Sequence, residues 1–211
     1  MQQFKNYIFD LDATLYQDNG EFEANYEILV DKFFMTRLNM SEAEAQEERN
    51  KIISKFISGT EGIRPQFGIS VKEFMDYTCA ADVSHLSQNL WLEEQLRCLS
   101  GRLFIFTDST VGHVQDTLSR IGVNQDIFAK IFDAEQAGYN FKYQKETFEC
   151  FFKKCQVVPQ ESVMFEDSLR NLKMAKSFGI TTILISQENV EEDFIDYQFS
   201  DINKALGAIL E

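Results

Sequence analysis

The chain has 211 residues, 44% hydrophobic and 26% charged, which is typical of a soluble globular core with room for an inserted module. Its formal net charge of −14 disfavours nucleic-acid binding and requires any phosphate site to hold concentrated positive charge. No apolar run approaches the roughly 18 residues that span a bilayer. Four cysteines without a CxxC pair indicate a reducing compartment, so we expect a cytoplasmic protein that binds no membrane.

Short apolar runs that end in polar residues predict buried parallel strands at 7–9, 103–106, 131–132, 163–165 and 182–185. The segments 110–121, 144–155 and 168–178 have helical periodicity, and Gly122 and Gly179 stand where two of these helices would end. Strands that alternate with helices predict an α/β fold with a doubly wound, Rossmann-like parallel sheet.

The segment 17–88 interrupts this alternation and has the pattern of several helices. Ser41, followed three residues later by Glu44, fits a capping box at the start of one of them. We therefore predict an all-helical cap at 17–88, inserted after the first strand into an α/β core that consists of 1–16 and 89–211. Phe and Met residues in this segment are expected to fill its core rather than to line a ligand pocket.

Polar residues follow four of the predicted strands, at the edge where open α/β sheets build their sites. Asp10 and Asp12 end the first strand, and two carboxylates with this spacing suit a nucleophile and an acid–base catalyst. Taken alone, the pair also fits ordinary turn or N-cap aspartates. Thr107, Asp108 and Ser109 follow the second strand, where hydroxyl and backbone N–H groups can hold phosphate oxygens or cap the next helix.

Lys142 lies in the polar stretch after the third predicted strand, where its charge can neutralise a nucleophile and a phosphoryl group. A lone lysine is more often a solvated surface residue. Glu166 and Asp167 follow the fourth strand and suit a magnesium site if Asp10 joins them, although Asp167 also fits an N-cap.

The ordered set Asp10-x-Asp12-x-Thr14, Thr107, Lys142 and Glu166-Asp167 resembles the four signature motifs of the haloacid dehalogenase (HAD) superfamily. Longer stretches resemble its pyrimidine 5′-nucleotidase-like branch: FDLDATLY, LFIFTDSTVGHVQDTLSRIGV, VMFEDSLRNLKMAKSFGITTILI and, in the predicted cap, EFMDYTCAADVSHLSQNLWL. The resemblance covers nearly the whole chain except much of the first half of the cap.

This resemblance implies a Mg²⁺-dependent phosphatase acting on a small phosphorylated metabolite, such as a pyrimidine nucleoside 5′-monophosphate. It implies that Asp10 forms an aspartyl-phosphate and that Asp12 protonates the leaving oxygen and then activates water. The phosphate-binding residues that it implies are Thr107, Asp108, Ser109 and Lys142. The implied magnesium ligands are the Asp10 and Asp167 carboxylates and the Asp12 backbone carbonyl, with Glu166 acting through water.

The chain departs from the branch pattern at several positions. Ala13 replaces the usual Asp after the second acid, and Asp108-Ser109 replaces the usual Asn-Gly. An extra carboxylate is expected to weaken anion binding unless it turns away. Tyr143 follows Lys142 where proline is usual, which leaves Lys145 as an alternative lysine.

Cys79 and Ala80 stand where His-Asp is common in the branch, so the substrate stays open. The alternative functions are a phosphotransferase or sugar-phosphate mutase on the same scaffold, and a non-catalytic member that binds phosphate or a partner. Asp12 favours phosphorus chemistry, because the dehalogenating members of the superfamily lack an acid at that position.

Overall fold

The computed structural model describes residues 3–18, 20–55, 62–63, 67–80 and 82–211. The chain divides into two compact units, one formed by Met1–Asp18 with Ser84–Glu211 and the other by Asn19–Val83. The predicted cap, 17–88, includes positions 19, 56–61, 64–66 and 81, which lie outside the described residues.

The first unit contains a six-stranded sheet. Its strands are β1 (Asn6–Phe9), β2 (Arg102–Phe106), β3 (Lys130–Phe132), β4 (Ser162–Glu166), β5 (Thr181–Ile185) and β6 (Tyr197–Phe199). They are arranged in the order β3-β2-β1-β4-β5-β6, and every neighbouring pair is parallel. This topology confirms the predicted doubly wound, Rossmann-like sheet. The first five strands were predicted, whereas β6 was not.

The strands are apolar because helices can cover both faces of a parallel sheet. Ile8 on β1 lies in register with Phe104 on β2 and Met164 on β4, and all three are buried in one cluster. In the same cluster, Phe106 stacks on Phe151 with ring centroids 4.5 Å apart. This packing holds the central strands in place, and it therefore sets the positions of the residues that follow them.

The α-helices of the described residues are α1 (Glu21–Arg37), α2 (Glu42–Lys55), α3 (Val71–Thr78), α4 (Leu92–Arg97), α5 (Val111–Ile121), α6 (Lys145–Cys155), α7 (Leu169–Ser177) and α8 (Ile202–Leu210). The helices predicted at 110–121, 144–155 and 168–178 are confirmed as α5, α6 and α7. Gly122 caps α5 at φ 83° and Gly179 follows α7 at φ 80°, the left-handed conformation that glycine adopts readily. No described helix has both the length and the apolar character that crossing a bilayer requires.

The second unit is helical, and α1 packs against α2 and α3. Phe33, Phe34 and Phe74 are fully buried, which agrees with the expectation that such residues fill a core. Met35 contradicts that expectation, because it is exposed on α1, and Phe56 lies outside the described residues. The capping box is confirmed: the Ser41 backbone N–H donates to Glu44 Oε2 at 2.8 Å, and the Glu44 N–H donates to Ser41 Oγ at 3.4 Å. The function of this unit as a cap stays a prediction.

Candidate active site

The candidate site lies at the carboxyl ends of the central strands. β1 lies between β2 and β4, so the strand order reverses there, and open α/β sheets bind ligands at this point. The Asp10 N–H donates to Phe165 O at 3.0 Å, and the Thr107 N–H donates to Phe132 O at 3.1 Å. These bonds extend the sheet ladders one residue past the strands, and they fix where the Asp10 and Thr107 side chains begin.

Lys142 reaches this edge from the loop between β3 and α6. Its side chain is buried, and Nζ donates to Asp10 Oδ1 and, at 2.8 Å, to Glu166 Oε2. Nζ also lies 5.9 Å from the centroid of the Phe106 ring. Lys145, the alternative lysine, is largely exposed and pairs with Glu149 at 3.3 Å. The structure thus brings Lys142 to Asp10, and not Lys145.

The carboxylates around Lys142 have raised pKa values. Burial and repulsion from Glu166 raise the pKa of Asp10 well above its usual value, although Lys142 opposes the shift. Burial raises the pKa of Glu166 to about 8, even beside Lys142. Burial and the charge of Asp10 raise the pKa of Asp167. Burial opposes the charged form of Lys142, yet the carboxylates of Asp10, Glu166 and Asp108 raise its pKa well above the usual value.

Asp10, Glu166 and Asp167 together can hold a metal ion. Each offers one oxygen, and these oxygens all lie within 4.8 Å of one another. When all three are ionised beside Lys142, three negative charges face one positive charge. One divalent cation balances that excess, and carboxylate oxygens are ligands that Mg²⁺ prefers. The donor set therefore fits a hard divalent cation such as Mg²⁺.

Asp12 has its own set of partners, apart from Lys142. Its Oδ1 accepts from Tyr16 Oη at 2.7 Å and lies 2.7 Å from His113 Nε2, and its Oδ2 accepts from Ser109 Oγ at 2.9 Å. Burial alone would raise the pKa of Asp12, but the bonds from His113, Tyr16 and Ser109 lower it below the usual value. Asp10 and Asp12 are two residues apart and have opposite pKa shifts, so their carboxylates lie in different environments.

The loop after β2 carries three of the predicted phosphate-binding residues, and one of them, Ser109, contacts Asp12. Thr107 is buried, and its Oγ1 accepts from the Ser109 N–H at 3.0 Å. Asp108 Oδ1 accepts from the Lys142 backbone N–H at 3.0 Å, so this extra carboxylate fixes the lysine loop. Burial raises the pKa of Asp108, with Lys142 opposing. Ser109 has no positive φ, so the conformational freedom of the usual glycine is not needed here.

Two residues at this site were not predicted, Tyr16 and His113. Tyr16 follows Asp12 by four residues in the turn after β1, in which the Leu15 N–H donates to Leu11 O at 3.0 Å. His113 is buried in the first turn of α5, close to the capping residue Thr110. The only sequence signal for His113 is its position, just after the polar loop that follows β2.

The chain belongs to the haloacid dehalogenase-like hydrolase family, whose sequence model matches residues 7–185. This match confirms the predicted superfamily and identifies the protein as a member of a hydrolase family. No protein with curated annotation matches the chain significantly.

Solved structures with the same fold include a HAD phosphatase from Thermococcus onnurineus, 19% identical over 97% of both chains with a TM-score of 0.67. The HAD hydrolase YfnB from Bacillus subtilis, crystallised with magnesium, is 18% identical over 100% of both chains with a TM-score of 0.64. CbbY from Rhodobacter sphaeroides, in complex with phosphate, is 17% identical over 94% of this chain and 95% of its own, with a TM-score of 0.65. Dehalogenases also share the fold, so the fold alone does not select the reaction.

Proposed function

We propose that the protein is a phosphatase that hydrolyses a small phosphomonoester through Asp10. The observation that carries this proposal is the pair of acids with separate environments: Asp10 lies against Lys142, while Asp12 is hydrogen-bonded elsewhere. A nucleophile and an acid–base group need these different settings. Dehalogenating members of the superfamily lack the second acid, so Asp12 favours attack on phosphorus over attack on carbon.

In the proposed reaction an oxygen of the Asp10 carboxylate attacks phosphorus, and the bond between phosphorus and the ester oxygen breaks. Asp12 gives its proton to the departing oxygen. Water then attacks the aspartyl-phosphate and gives a proton to Asp12, and Asp10 is released with inorganic phosphate. Lys142 offsets negative charge on Asp10 and on the transferred group. Thr107, at the end of β2, would hold a phosphate oxygen through its hydroxyl.

The ligands proposed for Mg²⁺ are the carboxylates of Asp10 and Asp167 and the backbone carbonyl of Asp12, supported by Glu166. A bound divalent ion would screen the repulsion between Asp10 and an anionic phosphoryl group. The fit of the three carboxylates supports this assignment. Magnesium in the related YfnB structure is consistent with it.

The proposed substrate class is a nucleoside 5′-monophosphate, with the pyrimidine nucleotides UMP and CMP as first candidates. This choice follows the resemblance to the pyrimidine 5′-nucleotidase-like branch. Cys79 and Ala80 replace the usual His-Asp, so sugar phosphates are the comparison to make. CbbY, which shares the fold, has been crystallised with phosphate and with xylulose-1,5-bisphosphate. A panel of UMP, CMP and sugar phosphates separates the two classes.

The reaction class is tested with p-nitrophenyl phosphate, with Mg²⁺ and with EDTA. We expect turnover that requires Mg²⁺ and that Asp10→Asn abolishes while the protein stays folded. Asp76→Asn, which changes an exposed aspartate paired with Lys72, is the matched control and should retain full activity. Metal-independent release of halide from a 2-haloacid, without hydrolysis of any phosphate ester, would show instead that the protein is a dehalogenase.

A further inference from the structure

The two oxygens of the Asp12 carboxylate differ in their hydrogen-bond partners. Oδ1 has two partners, Tyr16 Oη and His113 Nε2, each at 2.7 Å. Within the described residues Oδ2 has one, Ser109 Oγ, at 2.9 Å. Oδ1 can accept from both groups whether Asp12 is ionised or carries a proton on Oδ2, and His113 donates when its imidazole proton is on Nε2. The two oxygens of Asp12 are therefore not equivalent.

A carboxylate oxygen has about two lone-pair directions in which it can accept a hydrogen bond. At Oδ1 both directions are used, by Tyr16 and His113. At Oδ2 the described residues use one direction, through Ser109, and leave the other open. Proton exchange at Oδ1 would require an existing bond to break, whereas exchange at Oδ2 would not.

We propose that Tyr16 and His113 are positioning residues that hold Asp12 Oδ1 and thereby present Oδ2 as the oxygen that exchanges protons. This proposal rests on the phosphatase function proposed above and deepens it. In the first step the proton leaves Oδ2 for the ester oxygen as the bond from that oxygen to phosphorus breaks. In the second step a proton of the attacking water moves to Oδ2 as the acyl-phosphate bond breaks, which restores the starting state.

The two positioning residues are fixed by different parts of the first unit. Tyr16 extends from the turn after β1, where the Leu15 N–H donates to Leu11 O. His113 is buried on α5, and Thr110 Oγ1 caps that helix by accepting from the His113 backbone N–H at 3.5 Å. Two donors from separate elements fix the orientation of the Asp12 carboxylate better than one donor would. Orientation matters here because a small misplacement of a catalytic group lowers the reaction rate strongly.

Ser109 completes the arrangement at the reactive oxygen. Its own backbone is held at both ends, since its N–H donates to Thr107 Oγ1 at 3.0 Å and its carbonyl accepts from Ala134 N–H at 3.0 Å. A serine hydroxyl can rotate, and it can donate or accept. Ser109 can therefore stay bonded to Oδ2 whether or not Oδ2 carries a proton.

The test compares substrates whose leaving groups need different amounts of help from an acid. An alkyl phosphate needs protonation of its leaving oxygen, whereas p-nitrophenyl phosphate needs little. In Tyr16→Phe we expect kcat/KM to fall by about 10- to 100-fold for the alkyl phosphate and by less than about threefold for p-nitrophenyl phosphate. Tyr197→Phe, on the half-exposed edge strand β6, is the matched control and should change neither value.

The role of His113 is tested with one substitution that keeps a hydrogen-bond donor to Asp12 and one that removes it. His113→Gln keeps an N–H near the position of Nε2 and should preserve most of the activity on the alkyl phosphate. His113→Leu should lose activity on the alkyl phosphate but little of the activity on p-nitrophenyl phosphate. Equal losses on both substrates in Tyr16→Phe and His113→Leu would indicate a merely structural role and would overturn the proposal.

A structural measurement tests the same proposal without any turnover. In crystal structures of the wild type, Oδ1 should contact both Tyr16 and His113; in the combined Tyr16→Phe, His113→Leu variant, the Asp12 carboxylate should leave this position. An unchanged Asp12 in that variant would refute the positioning role. Absence of phosphatase activity in the wild type, with Asp12 displaced in the variant, would refute the reaction and leave the positioning role supported.

Discussion

Replacement of Asp10 by Asn is expected to abolish activity and, in metal-free buffer, to stabilise the fold. Asp10 Oδ1 accepts from Lys142, and Oδ2 accepts weakly from Thr14 Oγ1 at 3.4 Å. An asparagine can keep its oxygen toward Lys142 and turn its amide toward the Thr14 hydroxyl, which can accept instead of donate. The substitution therefore removes a charge without leaving an obvious buried group unsatisfied.

The magnitude follows from the charges around Asp10. When Glu166 and Asp167 are ionised, each like-charge contact with Asp10 at the limiting separation of 4.8 Å costs about 3.5 kcal/mol at an effective dielectric constant near 20. Attraction to one lysine at 2.8 Å, the separation found between Lys142 and Glu166, recovers about 6 kcal/mol on the same scale. The two contributions nearly cancel, and the burial of Asp10 then decides the sign.

We therefore expect Asp10→Asn to raise the free energy of unfolding by about 1–2 kcal/mol without metal, equivalent to a Tm increase of about 2–8 °C for a chain of this size. Because the pKa of Asp10 is raised in the folded protein, its ionised form costs stability. The advantage of Asn should grow as the pH rises from the ordinary pKa of an aspartate to that raised pKa, and it should level off above it.

The assay is thermal unfolding of the wild type and of Asp10→Asn, in EDTA and in Mg²⁺. Mg²⁺ at about 100 times its dissociation constant should stabilise the wild type by about 2.7 kcal/mol, and it should stabilise the variant less. Asp76→Asn, at an exposed ion pair, should shift Tm little in either buffer. A metal-free Asp10→Asn variant with a lower Tm than the wild type would refute the charge balance described here.

Three further predictions concern the same edge of the sheet. In EDTA, wild-type Tm should fall as the pH rises from about 4.5 to about 8, because burial raises the pKa of Glu166 and its ionised form is disfavoured in the folded protein. Mg²⁺ should remove most of this decline. An equal decline with Mg²⁺ would contradict the metal assignment. Ala13 has φ 57°, a left-handed conformation that glycine adopts more easily, so Ala13→Gly should raise the free energy of unfolding in chemical denaturation by about 0.5–1 kcal/mol. The control Ala24→Gly, within α1, should lower it by about 1 kcal/mol. Asp108→Asn keeps an acceptor for the Lys142 N–H but removes a charge, so KM for a phosphomonoester should fall about 3- to 10-fold with little change in kcat, and a higher KM would refute the charge effect.

Much of the fold is predictable because its signals are local. The apolar runs of β1, β2, β4 and β5 are buried on both faces, and the glycines at 122 and 179 end helices in a conformation that few other residues adopt readily. β6, Tyr197–Phe199, was missed because it has three residues and is only partly buried at the sheet edge. Such a strand is specified by its pairing with β5 rather than by its own pattern.

The site is partly predictable for a topological reason. Parallel strands bring their carboxyl ends to one edge, so Asp10, Thr107 and Glu166 are neighbours although they are far apart in sequence. The contact of His113 with Asp12 spans 101 positions and depends on how α5 packs, which no sequence period encodes. The partner of Asp108 was likewise not predictable, because it is a backbone N–H at the end of an irregular loop.

The central claim, that Asp10 carries the phosphoryl group, is tested most directly by trapping the intermediate. The protein is mixed with Mg²⁺ and a phosphomonoester, quenched and treated with borohydride, which reduces an acyl-phosphate to an alcohol and so converts aspartate to homoserine. Peptide mass spectrometry should then find the modification at Asp10 alone, dependent on substrate, with none in Asp10→Asn. Substrate turnover with Asp10 unmodified, or with the modification at Asp12 or another carboxylate, would contradict the account.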